Sequence, residues 1–135
     1  MYLTRREHFS ASHRLFNPDW TDEKNSLVFG KCSNPAGHGH NYVLDVTVAG
    51  DVDPETGYVL DLKLLKKVLH ECVLDKLDHK NLNVDVDFLT GVNPTVENIA
   101  KGIWDVLKDV IPRGRLYKIT LQETVNNTVE YKGEI

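Results

Sequence analysis

The sequence predicts an α+β fold, a four-stranded antiparallel sheet with two helices packed on one face. Three observations carry this. The strand-like runs alternate in hydropathy instead of being uniformly apolar: Tyr42, Leu44, Val46 and Val48 take one parity, Val43, Asp45, Thr47 and Ala49 the other. That is the pattern of antiparallel strands. Two other stretches, opening at Leu62 and Val96, repeat their apolar residues at helical spacing. The order is strand, strand, helix, helix, strand, strand, which sets both helices in one layer. Four strands also leave two open edges, which association between copies would cover.

Leu3 to Ser12 reads as the first strand, with Phe9, Ala11 and His13 sharing one face. Phe16 to Phe29 reads as a polar loop, opened by the turn signal Asn17-Pro18-Asp19. Loops of that length are often functional. The second strand runs from Asn41 to Val48, and Gly50 ends it. Asp53 to Gly57 is a turn, and Asp61 caps a helix whose stripe is Leu62, Leu65, Val68, Leu69 and Cys72, ending near Leu74. A polar connector follows from Asp75 to Asn83. Thr95 caps the second helix, with Val96, Ile99, Ala100, Ile103, Trp104, Leu107 and Val110 as its apolar stripe. Two strands close the chain: Tyr117, Ile119 and Leu121 face the core on the first, and a turn at Asn126-Asn127 leads to Val129 and Tyr131. No repeat or linker divides the chain, so residues 1–135 are expected to form a single domain.

Composition narrows the function. A net charge of −4 leaves no basic excess for a nucleic-acid partner. No segment approaches the roughly 18 apolar residues of a membrane helix. The first residues, Met1 to Arg6, do not read as a secretion signal, and two cysteines in such a chain imply reduced thiols in a cytoplasmic protein. A Cys32–Cys72 disulfide is the alternative.

The stretch from Gly30 to His40 carries the chemistry. His38 and His40 stand two apart where a strand begins, so both imidazoles point to one face. His13 sits on an apolar-flanked strand, where an unpartnered imidazole is costly. Three histidines with an open fourth position make a catalytic zinc site. An exposed loop with two unrelated histidines is the plain alternative for the pair. Cys32 stands six positions before His38 in a Gly-, Asn- and Pro-rich loop, as a reactive thiol, a metal ligand or a packed side chain. Cys72 falls on the helical stripe and reads as core. Asp78-His79 is a candidate proton-transfer pair or a solvated loop pair. Glu123 continues the Ile119 and Leu121 parity. Either it faces a ligand with two adjacent N–H donors, such as a pterin or guanine edge, or the strand frays before it. Glu97 lies in a first helical turn, where its charge suits the helix dipole.

Together, Phe9-Ser10-Ala11-Ser12-His13-Arg14-Leu15, Gly30-Lys31-Cys32 through His38-Gly39-His40-Asn41-Tyr42, Leu77-Asp78-His79-Lys80-Asn81-Leu82, Pro94-Thr95-Val96-Glu97-Asn98 and Gln122-Glu123-Thr124 resemble the 6-pyruvoyltetrahydropterin synthase family, whose wider membership includes 6-carboxytetrahydropterin synthase of queuosine synthesis. The resemblance covers essentially the whole chain. It implies a tunnelling (T-fold) subunit, three of which close a barrel. Two such trimers stack into a homohexamer with active sites between subunits. It further implies Zn²⁺ held by His13, His38 and His40. Cys32 is then the catalytic thiol, with Asp78 and His79 as its proton relay. Glu123 anchors the pterin, with Thr95 and Glu97 nearby. The implied reaction converts 7,8-dihydroneopterin triphosphate to 6-pyruvoyltetrahydropterin with loss of triphosphate, as in tetrahydrobiopterin synthesis. The five residues between Cys32 and His38, and the closing Val129 to Glu134, resemble the pyruvoyl enzymes. A carboxy synthase acting on the same substrate is one alternative. A non-catalytic zinc module with Cys32 as fourth ligand is another.

Overall fold

The computed structural model describes residues 1–134. Strands β1 (Tyr2–His13) and β2 (His38–Ala49) pair antiparallel along their full length, from Tyr2 opposite Ala49 to His13 opposite His38. Strand β4 (Arg115–Thr124) pairs with the other side of β2, and β5 (Asn127–Tyr131) closes a hairpin with β4.

The sheet has five strands, not the expected four. Lys80–Asn81 forms a short β3, parallel to β1 and paired with Ala11 and Ser12, so the order is β3-β1-β2-β4-β5. Two residues are too few to show an alternation, so this strand had no signal in the sequence. It is held from its flanks, where His79 N–H donates to Ser10 O (2.6 Å) and Leu82 N–H to Ser12 O (2.8 Å).

Helix α1 (Asp22–Phe29) occupies part of the expected loop. Its start is chemically clear: the Thr21 hydroxyl accepts from Lys24 N–H, and Asp22 and Glu23 fill the first turn. It has no apolar stripe, since Leu27 and Val28 are exposed and Asn25 is its buried residue, so periodicity could not reveal it. Asp61 caps α2 (Leu62–Leu69) as expected. The helix then continues past Leu74, through a π-helical turn (His70–Leu74) into α3 (Asp75–Leu77), because burying Leu77 rewards the extra turn. Thr95 caps α4 (Val96–Leu107), which stops short of Val110. That residue is exposed and gains nothing by extending the stripe.

The helices cover one face of the sheet. Phe9, Tyr42, Leu44, Val46, Ile119 and Leu121 meet Leu65, Leu69, Leu77, Ile99, Ile103 and Leu107 in a continuous, almost fully buried core. Each such side chain contributes roughly 1.5–3 kcal/mol by leaving water. Tyr117 departs from its expected inward parity. Thr47 pairs with Lys118 but Val48 with Leu116, so Tyr117 is bulged out and Leu116 turns inward in its place. Tyr117 stacks on Tyr2 instead, at 4.2 Å between ring centroids. The final turn falls at Val125-Asn126. Asn127 already belongs to β5, so the turn lies one residue earlier than the expected Asn126-Asn127. No helix among the described residues is long and apolar enough to cross a membrane.

Candidate metal and active site

The sheet face that buries Phe9 and Tyr42 runs on to a cluster of three histidines. His13 ends β1 and His38 starts β2 as directly opposed partners, and His40 faces Ala11 one step inward. Because all three share the core parity, their rings converge at the end of the apolar layer. One ring nitrogen from each lies within 4.8 Å of the others. Gly37 makes the approach possible: its φ of +73° and the 2.9 Å that would separate a Cβ from His13 O leave no room for a side chain.

Second contacts set the chemistry of these rings. His13 Nδ1–H donates to Pro94 O at 2.7 Å, which fixes the tautomer and leaves the Nε2 lone pair free. That lone pair faces His38 Nε2 at 3.1 Å. The Nε2 of His40 is buried and has no partner among the described residues. Burial lowers the His13 pKa to about 4, with the two neighbouring imidazoles adding to the effect and the Pro94 carbonyl opposing it. Burial lowers His40 as well, against the pull of Glu123. Neutral imidazoles with unshared lone pairs aimed at one point are the form in which histidine binds a metal. The donor set therefore fits a divalent cation of the zinc type. Cys32 is not part of this ligand group.

Glu123 joins the cluster from β4. Its Oε2 lies 3.9 Å from His13 Nε2, and its side chain is 17% exposed, so the strand does not fray before it. With Glu97, Val96, Asn126, Asn127, Thr128 and Val129 it lines a cleft of about 440 Å³. The Thr95 hydroxyl is spent on its cap, accepting from Asn98 N–H at 3.2 Å, while the neighbouring Pro94 carbonyl holds His13.

Cys32 sits half-buried in a 3₁₀ turn (Gly30–Ser33), and its carbonyl accepts from Leu15 N–H at 2.8 Å. Neither cysteine is in a disulfide. Cys72 is half-buried beside the core. Asp78 and His79 lie at the β3 edge of the sheet. Neither makes a hydrogen bond or ion pair with Cys32 within the described residues. Contrary to the usual behaviour of sequence neighbours, their side chains do meet: His79 Nδ1 is 3.0 Å from Asp78 Oδ2. A φ of +62° at His79 turns the ring back onto its neighbour. Ser10 N–H donates to Asp78 Oδ1 at 2.9 Å and, with His79, holds the carboxyl below its usual range. His79 is 83% exposed by side chain and opens on a cleft of about 560 Å³ shared with Ser10, His40 and Asn41.

Sequence reasoning missed three residues. The Pro94 carbonyl orients His13. The Tyr42 hydroxyl is buried without a partner among the described residues, its pKa raised by burial and by Glu123. Arg14 contacts the cysteine turn. Only Tyr42 carried a signal, its shared parity with His38 and His40; the others act across long sequence separations.

An α+β chain whose sheet ends in three histidines placed to bind a metal ion, with a carboxylate and an Asp-His pair nearby, has the makings of an enzyme. Comparison with known proteins agrees. Residues 2–134 match the family model described as 6-pyruvoyl tetrahydropterin synthase, and the chain belongs to that family of enzymes. It is 54% identical to the 6-pyruvoyl tetrahydrobiopterin synthase of Pongo abelii and 53% identical to that of Homo sapiens, in each case over 98% of this chain and 91% of the relative. The solved Caenorhabditis elegans 6-pyruvoyl tetrahydropterin synthase superimposes with a TM-score of 0.92 at 44% identity, covering 99% of this chain and 96% of that one.

Proposed function

We propose that the protein converts 7,8-dihydroneopterin triphosphate to 6-pyruvoyltetrahydropterin and triphosphate, the phosphorus–oxygen lyase step of tetrahydrobiopterin-type synthesis. The observation that carries this reading is the convergence of His13, His38 and His40 beside Glu123 in a chain about half identical to enzymes of that name.

His13, His38 and His40 would hold Zn²⁺, which supplies Lewis acidity toward the substrate's side-chain oxygens. Every other step falls to side chains. Glu123 accepts adjacent N–H groups of the pterin in a fork, which orients the ring. The Cys32 thiolate removes a proton from the substrate side chain. His79, held by Asp78, relays protons at its Nε2. No external reductant enters, because the ring is reduced as the side chain is oxidised. Thr95 and Glu97 border the same region. Thr95 acts through its cap and Glu97 through the cleft it shares with Glu123.

Three copies closing a barrel, and two barrels stacking as a homohexamer, would bring the Asp78-His79 pair of one subunit to the Cys32 turn of another. Two features support this. Within one chain the pair and Cys32 are not bonded. The sheet also keeps open edges, since β3 covers only Ala11 and Ser12 of β1. The two free cysteines are consistent with a cytoplasmic setting.

Product analysis is the deciding experiment. Purified protein supplied with 7,8-dihydroneopterin triphosphate should release inorganic triphosphate and 6-pyruvoyltetrahydropterin. Acetaldehyde with 6-carboxytetrahydropterin would establish the carboxy synthase reading. No consumption by metal-loaded protein would overturn both.

A further inference from the structure

The turn that carries Cys32 is fastened, at two consecutive carbonyls, to the two residues that follow β1. Leu15 N–H donates to Cys32 O (2.8 Å), and Arg14 Nε–H donates to Ser33 O (2.7 Å). Arg14 directly follows the ligand His13. Main-chain ties of the Leu15 kind are available to any residue, but the second requires a long side chain with a donor at a fixed position.

Arg14 is itself unusually constrained. The Asn83 side chain brackets its peptide, with Oδ1 accepting from Arg14 N–H (2.7 Å) and Nδ2–H donating to Arg14 O (2.8 Å), as a neighbouring strand would. Its guanidinium lies over the Phe16 ring, 4.0 Å from the centroid. No carboxylate within the described residues forms an ion pair with it. An arginine stacked, bracketed at its main chain and bonded through Nε to a backbone carbonyl is spent on geometry, not on charge neutralisation. On the other side of the turn, Gly37 presses against His13 O. The loop from Gly30 to Gly37 is thereby referenced to the end of β1 from both directions.

We propose that Arg14 is a positioning residue which sets the distance between the Cys32 thiol and the three-histidine metal site, by holding the Ser33 carbonyl through Nε. The proposal rests on Cys32 being the base of the reaction proposed above. A base displaced by about 1 Å can cost on the order of 10²-fold in rate without loss of binding, so the effect belongs in kcat rather than KM.

The test compares Arg14→Ala and Arg14→Lys with the unaltered protein. Arg14→Lys keeps the charge and the packing stem, which guards against simple misfolding, but has no donor at the Nε position. Four quantities are read: metal content, thermal midpoint, turnover of 7,8-dihydroneopterin triphosphate, and the rate at which iodoacetamide alkylates Cys32, followed by peptide mass spectrometry with Cys72 as internal reference. Expected for both variants are a full metal complement, a fall in kcat of about tenfold or more with KM within about threefold, and a Cys32 alkylation rate changed by about threefold or more while that of Cys72 is unchanged. Unchanged Cys32 alkylation in both variants would overturn the proposal. So would a raised KM at normal kcat, which would make Arg14 a substrate contact, or full recovery in Arg14→Lys, which would make its charge the operative property. If the unaltered protein does not turn over the substrate, the function reading fails, and the alkylation and metal measurements still decide the role of Arg14.

Discussion

His13 and His38 are direct partners across the β1–β2 ladder, and their Nε2 atoms stand 3.1 Å apart at the edge of the apolar core. Pro94 O takes the proton on Nδ1 of His13, so the lone pair on Nε2 is satisfied only by a proton from His38 or by a cation. Such an arrangement is costly unless a cation or a shared proton lies between the rings.

Replacing His38 with Ala is expected to remove the bound metal and abolish turnover, while the core strands, which do not depend on that ring, keep the protein folded. Metal analysis by mass spectrometry alongside circular dichroism checks both parts. Retention of a full metal complement would show that the cluster is not the metal site. Chelation of the unaltered protein should have the same effect on turnover, reversed by added Zn²⁺.

The metal-free protein should lose stability in mild acid. The His13 pKa of about 4 lies below the ordinary value of 6.5, so between these limits the unfolded chain binds more protons than the folded one. The contribution is fully present above about pH 6.5. It declines by up to about 1.4 kcal/mol per pH unit as pH falls, and is gone below about pH 4. His40, lowered in the same direction, steepens the decline. Urea midpoints measured from pH 7.5 to 4.5 should show this slope, and His13→Asn should flatten it.

Cys32→Ala should reduce turnover by about 10²-fold or more, the scale of a lost general base, with metal content preserved because the thiol is outside the histidine group. A rate near normal would assign the thiol to packing alone.

Glu123→Gln should weaken pterin binding by roughly 1.5–3 kcal/mol, the range for hydrogen bonds to a charged acceptor. Isothermal titration with a non-reactive pterin measures this apart from chemistry. Unchanged affinity would free Glu123 for a role toward the histidines, 3.9 Å away.

His79 holds a left-handed backbone that glycine adopts without cost and other residues adopt at about 1 kcal/mol or more. His79→Gly should therefore be more stable than His79→Ala by about 1 kcal/mol in chemical denaturation. Equal stability of the two would show that the backbone at this position is unstrained.

Most of the frame, and the three histidines that converge at its end, were legible in local sequence patterns. Parity in β1 and β2 is a local property of the chain, and it placed His13, His38 and His40 on the core face before any pairing was known. The caps at Asp61 and Thr95 are equally local, since each side chain bonds a main-chain N–H only two or three residues ahead. What tertiary structure decided were the features without a local period: α1, with its single buried residue Asn25; the two-residue strand β3; and the bulge that reverses Tyr117. It also decided the contacts that tune the site. Pro94 O reaches His13 across 81 positions, and Arg14 reaches Ser33 across 19. Hydrogen bonds of that span depend on how the elements pack. Short-range hydropathy carries no record of them, because the bonding groups are backbone carbonyls that every residue possesses.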